Sequence, residues 1–297
     1  MKKHLAPRTR SRIQALFVTF LWSTSWVLIK LGLEDIPALS FAGLRYLLAF
    51  LFMLPIIART RLYDRTKQIP PKQWRHLILL GLVYYSITQA AQFMSLVYLP
   101  AASVSLLLSF TSILVAFLGI IFLGEKPSRR QWLGLLIYLF GIGLYFLPLR
   151  FPAAHATGLV IAGIGVMANA LSAIMGRDIN RSKQIDPILV TTISMGSGAL
   201  VLFLAGITFQ GIPSLSLQSW LIVIWLAAVN TAFAFTLWNH TLRELSAMES
   251  SVINNTMLIQ ISMLAWIFLG EQLTGLEILG IGLAAIGTLI VQVSRPS

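Results

Sequence analysis

Residues 122–134 read FLGEKPSRRQWLG, and residues 268–280 read FLGEQLTGLEILG. The phrases stand 146 positions apart, each closing a long apolar run. Each carries the punctuation of a helix end followed by a helix start. Gly124 and Gly270 let the backbone leave a helix. Ser128 with Gln131, and Thr274 with Glu277, have the spacing of a capping box,. Glu125 and Glu271 would then lie near the positive N-terminal end of the next helix. Structural closure of a tight helix hairpin explains these carboxylates better than proton coupling, because they fall at the edges of apolar runs.

Those runs dominate the chain. Of 297 residues, 57% are hydrophobic and 11% charged, where a soluble domain has about 25% charged residues. Mean hydropathy is +0.82. Runs near 20 residues long in such a composition are candidate transmembrane helices. Ten are expected: 13–32, 38–58, 76–97, 101–123, 131–149, 157–177, 187–208, 218–240, 247–269 and 274–293. These are spans 1 to 10. There is no cysteine, which removes disulfides and thiol chemistry from consideration. The basic start, MKKHLAPRTRSR, lacks a small-residue cleavage pattern, so it reads as a cytoplasmic tail (1–12) before a retained first helix.

The net charge of +12 would suggest nucleic acid in a soluble protein; here it is a topology signal. Nineteen of the 22 Lys and Arg fall in the tail and in alternate loops, among them Arg59, Arg61 and Arg65, then Lys126, Arg129 and Arg130, then Arg177, Arg181 and Lys183. Lys30 and Arg150 mark the other side, and Arg45 lies inside span 2. This asymmetry places both termini in the cytoplasm of a multi-pass protein of the cytoplasmic membrane.

The 146-residue offset extends outward from the opening phrases. It pairs Trp74 with Trp220, Ser105 with Ser251, Gly134 with Gly280 and Gly141 with Gly287. Spans 1–5 (13–149) and 6–10 (157–293), joined by 150–156, thus read as copies. Five is odd, so the second copy enters the bilayer reversed. The expected fold is all-α and integral to the membrane: ten transmembrane helices in a 5+5 inverted-topology repeat. Such a repeat supplies the two equivalent faces that alternating access needs. Gly134/Gly141 and Gly280/Gly287 fall at i, i+7. Spans 5 and 10 read as scaffold or as a homodimer surface.

FLWSTSWVLIK in span 1, FAGLRYLLAF in span 2 and the FLGE closures of spans 4 and 9 resemble the drug/metabolite transporter superfamily, in its ten-helix EamA-type branch. The resemblance covers about residues 13–293. It implies a central cavity lined by spans 1, 3, 4, 6, 8 and 9, and export of amino acids or related metabolites. The proline the family often has some thirteen residues before each helix-end Glu is replaced by Ser112 and Leu258; if that proline supports bending during the transport cycle, spans 4 and 9 bend another way.

Polar and aromatic side chains at mid-membrane depth are the candidates for solute contact, because burying them unpaired is costly. On span 3, Tyr85, Gln89 and Gln92 share a face. Thr231, Phe235 and Trp238 form the matching face of span 8. Span 4 offers Ser105, Ser109 and Ser112; span 9 offers Ser251, Asn254, Asn255 and Ser262. Span 1 contributes Thr19, Trp22, Ser23 and Trp26, and span 6 contributes Asn169 and Ser172. The substrate-binding set chosen is Trp22, Trp26, Tyr85, Gln89, Gln92, Ser109, Asn169, Trp238, Asn254 and Asn255. Serines and threonines elsewhere on these faces serve equally well as helix glue. Amides with aromatics suit a small zwitterionic or amphipathic solute rather than a bare ion. Arg45 could bind a substrate carboxylate, but span 2 is peripheral in the family, so it is expected instead to pair with backbone carbonyls or snorkel outward. Lys30 either meets an anion at the cavity mouth or snorkels.

No Asp or Glu lies at mid-membrane, and the four histidines sit in the tail, at membrane edges or in a loop. No metal, cofactor or nucleic-acid partner is therefore expected. The function this implies is a secondary transporter of a small metabolite, exporter or exchanger. A membrane-embedded enzyme and a passive channel are the weighed alternatives.

Overall fold

The computed structural model describes residues 7–60, 62–99, 101–124, 126–145, 147, 156–269 and 274–293. Among them there are helices and no strand. Helix α1 is Pro7–Gly32, α2 Ala38–Arg59, α3 a short Leu62–Thr66, and α4 Pro71–Gly81. A π-helical turn, Leu82–Thr88, leads into α5, Gln89–Tyr98. Then follow α6 (Ala101–Ser109), α7 (Thr111–Leu123), α8 (Arg129–Tyr145), α9 (Ala156–Arg181), α10 (Pro187–Gln210) and α11 (Leu217–Ala227). A second π-helical turn, Ala228–Phe233, precedes α12 (Ala234–Thr241), α13 (Ala247–Asn255), α14 (Met257–Leu269) and α15 (Gly275–Val293). Seven continuous helical stretches are long and apolar enough to cross a bilayer, with shorter apolar helices at Leu107–Leu123 and Ile278–Val291.

Helix ends follow local chemistry. α1 starts at Pro7, inside the stretch expected to be a tail. The extension is held by Arg8 and Arg12, whose guanidinium groups reach Glu249 at 2.6 and 2.8 Å. Glu249 is fully buried. With Ser246 it also closes the capping box of α13, so one carboxylate starts a helix and anchors another. In the opening phrase, Gly124 adopts φ +64°, where a side chain would be strained. Ser128 and Gln131 form the expected reciprocal cap, the Ser128 N–H donating to Gln131 Oε1 at 2.9 Å and the Gln131 N–H to Ser128 Oγ at 3.3 Å. Glu125, Gly270 and Glu271 lie outside the described residues, as does the Glu277 side chain.

Polar side chains are enclosed beside a large apolar core, and large apolar side chains also cover the outer surface. Thr19, Asn230, Thr231 and Glu249 are fully enclosed, while Ile121, Phe122, Leu136 and Phe140 face outward. Large apolar side chains on that scale belong against lipid.

The tightest packing runs through glycines. α8 lies against α15 so closely that a Cβ on Gly141 would come within 2.6 Å of the Gly280 carbonyl oxygen. One on Gly287 would come within 2.5 Å of the Gly134 oxygen. The glycine faces of spans 5 and 10 thus meet each other within one chain. In this chain these faces are occupied by each other. α2 and α10 approach in the same way through Gly43 and Gly206.

The remaining packing pairs come in matched sets. α1 packs on α12 and α14, and α9 packs on α5 and α7. Exchanging the first five spans for the second five turns each set into the other. The irregularities repeat too: the π-helical turns begin at Leu82 and Ala228, 146 residues apart. Spans 4 and 9 break at Phe110 and Thr256, at the same offset. Their ψ values are both −17°. At each break an i→i−3 bond tightens the chain, from the Phe110 N–H to the Leu107 oxygen and from the Thr256 N–H to the Ile253 oxygen, both 3.1 Å,. These tightened turns stand two residues before Ser112 and Leu258, the positions without proline.

Candidate functional site

The breaks and wide turns converge on a cavity. Spans 1, 3, 4, 6, 8 and 9 all contribute to it, with α2 adding Arg45 and Tyr46. Eight sequence-predicted residues line it: Trp22, Trp26, Gln89, Gln92, Ser109, Asn169, Asn254 and Asn255. The other two, Tyr85 and Trp238, line a smaller adjoining cavity that shares Tyr84, Asn169 and Asn254 with the first. The second cavity runs toward Gly176, Leu242 and Ser250, at the end where Arg177 donates to the Leu242 oxygen. The main cavity leaves ≈ 80 Å³ open to the centre of a water molecule, room for several waters and hence for a small polar solute.

One wall is aromatic and centres on Phe235. Its ring lies 4.7 Å from Trp22, 5.0 Å from Tyr85 and 5.3 Å from Tyr84, centroid to centroid. Trp22 also meets Trp238 at 5.1 Å. Such tilted pairs fix rings by packing and by their quadrupoles, which holds the wall rigid.

The facing wall is polar and ties the two breaks together. Asn255 donates through Nδ2 to the Ser109 carbonyl at 3.0 Å and to the Ser112 hydroxyl. Ser112 and Ser251 lie 3.0 Å apart. The Tyr138 hydroxyl donates to the Asn255 carbonyl at 2.6 Å. Ser112 is therefore consumed between spans 4 and 9 and does not line the cavity. Thr19, Thr256 and Gln260 join α1 to α14, Gln260 Nε2 donating at 3.2 Å to each threonine hydroxyl. The Asn169 side chain donates to Thr111 Oγ1 at 3.5 Å.

Two buried positions, Tyr84 and Asn230, escaped a reading based on helical period, and Arg45 was left between two directions. Tyr84 lines both cavities because the π-helical turn carries an extra residue and slips the face that a 3.6-residue period assigns to Tyr85,. Asn230 is fully buried in the matching turn. It donates to the Leu21 carbonyl and to Thr24 Oγ1, while its own carbonyl accepts from Trp22 Nε1 at 3.1 Å. A mid-span amide is costly enough to have marked it. Arg45 is 3% exposed. Its Nε donates to Thr231 Oγ1 at 2.8 Å and its Nη2 to the Asn230 carbonyl at 3.4 Å. The expected pairing with a backbone carbonyl is present. Outward snorkelling is not: the side chain turns inward because the polar partners lie there.

Among the described residues no cluster of His, Asp and Glu is placed to hold a metal, and neither cavity is lined by a carboxylate. The arrangement can bind and release a solute by hydrogen bonds, ring faces and one positive charge.

A membrane protein built from two matched helical halves around a polar–aromatic cavity is the architecture of a carrier. Residues 10–147 and, separately, 156–293 each match the EamA-like transporter family, and the chain belongs to that family. An uncharacterized transporter of Bacillus subtilis (strain 168), YvbV, is 28% identical over 67% of this chain and 64% of its own length. A second from the same organism, YoaV, is 27% identical over 66% of each chain. The chain thus spans just under two thirds of the length of these curated relatives. A probable amino-acid metabolite efflux pump of Escherichia coli (strain K12) is 30% identical over 44% of this chain and 40% of its own. A crystal structure of a protein 18% identical superposes with a TM-score of 0.77 over 96% of this chain and 98% of the other. That likeness establishes the fold alone.

Proposed function

We propose that this protein is a secondary transporter of the cytoplasmic membrane that moves a small amphipathic metabolite, an amino acid or a close relative, by alternating access. Its ten spans form two five-helix copies related by a pseudo-two-fold axis in the membrane plane, with both termini cytoplasmic. The observation that carries this reading is the cavity itself. It lies where both copies bend, at Phe110 and Thr256, and draws residues from both. Relatedness to a probable amino-acid metabolite efflux pump supports the solute class, and the absence of a lining carboxylate among the described residues favours export or exchange over proton coupling,.

A thermal-shift screen of the purified protein against amino acids, nucleosides and sugars tests the solute class. Counterflow of any hit in proteoliposomes tests the mechanism. Saturable counterflow that falls on Gln89→Ala or Asn255→Ala is the expected result. Non-saturable flux indicates a channel, and unchanged binding and counterflow in both variants removes the cavity assignment.

A further inference from the structure

Arg45 is the one charged side chain that faces the two cavities among the described residues. A guanidinium has five N–H groups. Here Nε and Nη2 have protein acceptors, the second at a long 3.4 Å, and Nη1 has none. The Tyr46 ring, 5.2 Å from the guanidinium carbon, covers a face of the group without neutralising it. Glu249, the buried carboxylate of the bundle, is already engaged by Arg8 and Arg12. A buried cation with no counter-ion is costly, and this one opens onto the space a solute would fill.

Asn254 presents the complementary deficit. It lines both cavities, and its enclosed Oδ1 has no donor. Among the described residues the cavity therefore has a guanidinium whose Nη1 lacks an acceptor and an amide oxygen without a donor.

We infer that the solute supplies the missing counter-charge: it carries a carboxylate seated on the Arg45 guanidinium and an N–H that reaches Asn254. The fork matches the two oxygens of a carboxylate. Solutes with a net positive charge are turned away, since a second cation meets amides and ring faces but no carboxylate. This rests on the transport reading for what the cavity is used for; the seat itself does not.

The test compares matched sets on one side chain: leucine, 4-methylpentanoate and isopentylamine, then phenylalanine, 3-phenylpropanoate and phenethylamine. Phenyl phosphate adds a dianion. Stabilisation of the purified full chain and counterflow in proteoliposomes are both read. Carboxylate members should act at about 10- to 100-fold lower concentration than the amines, the range of a charge-assisted hydrogen bond. Arg45→Gln should erase that ratio, and Arg45→Lys should keep a reduced one. Amines that match carboxylates in the wild type overturn the seat, as does a ratio unchanged in Arg45→Gln. Phenyl phosphate acting below every carboxylate overturns the carboxylate assignment. Should Arg45→Gln fail to yield monodisperse protein, the wild-type ratio and Arg45→Lys decide. Counterflow that is indifferent to charge sinks the seat and leaves transport standing. A carboxylate preference in stabilisation with no counterflow of any member does the reverse.

Discussion

Four glycines in two helices allow a test in which each variant has its control two residues away. In α8, a Cβ on Gly141 would lie 2.6 Å from the Ala284 backbone nitrogen, whereas one on Gly143 meets nothing within 4 Å. In α15, a Cβ on Gly280 would lie 2.5 Å from the Gly141 carbonyl oxygen, whereas Gly282 is open. The obstructing atoms are backbone, so no rotamer change relieves them and the helices must separate. Replacing glycine by alanine in a helix gains about 0.5–1 kcal/mol of propensity at all four positions. That gain cancels between neighbours. The difference that remains is the overpacking cost, about 1–3 kcal/mol. Gly141→Ala and Gly280→Ala should therefore unfold at lower SDS mole fraction than Gly143→Ala and Gly282→Ala by that margin. The measurement is the midpoint of SDS-induced loss of helicity in mixed micelles, with elution volume checked for each variant. Equal midpoints for Gly280→Ala and Gly282→Ala would mean that α8 and α15 do not meet through these glycines.

Other outcomes follow from single contacts. Glu249→Gln leaves Arg8 and Arg12 without their carboxylate and weakens a helix cap. It should cost about 1.5–3 kcal/mol, the range of a hydrogen bond to a charged group, since Arg8 and Arg12 are partly exposed,, and appear as a lower SDS midpoint and lower folded yield. A triple variant that also carries Arg8→Gln and Arg12→Gln should recover part of the loss. Ser128→Ala removes the cap of α8 and should cost about 1 kcal/mol by the same measurement; a neutral result would show that the reciprocal cap does not hold that helix start. Phe235→Leu removes the ring on which Trp22, Tyr84 and Tyr85 pack. It should raise the concentration of any solute needed for thermal stabilisation, and an unchanged titration would remove the aromatic wall from the binding site.

Much of this was legible in the sequence for a simple physical reason: lipid demands long apolar helices, so hydropathy marks where they run. The matched halves were legible because FLGE and its flanking Trp and Gly recur at one offset. Of the residues picked by side-chain type, the amides Gln89, Gln92, Asn169 and Asn255 line the cavity. What was not legible is written in the backbone. Phe110 and Thr256 are ordinary residues for a helix interior, and nothing in LLLSFTSIL or VINNTMLIQ announces a break. The π-helical turns are equally silent, and by slipping the helical face they hid Tyr84. For Arg45 the carbonyl pairing was legible but its inward direction was not, for a related reason. Its partners, the Thr231 hydroxyl and the Asn230 carbonyl, sit in one of those turns, so the direction of the side chain depended on a geometry that period counting does not see.

The paired breaks bear on how such a chain changes over generations. Phe110 and Thr256 share a backbone angle and a place in the repeat, yet one is aromatic and the other a hydroxyl residue. Ser112 faces Ser251 across the halves, while its own counterpart in the repeat is Leu258. The two copies share the joint and differ in its parts. A joint held by main-chain bonds leaves the surrounding side chains free to be rewritten for a new cargo in one half without unbalancing the other.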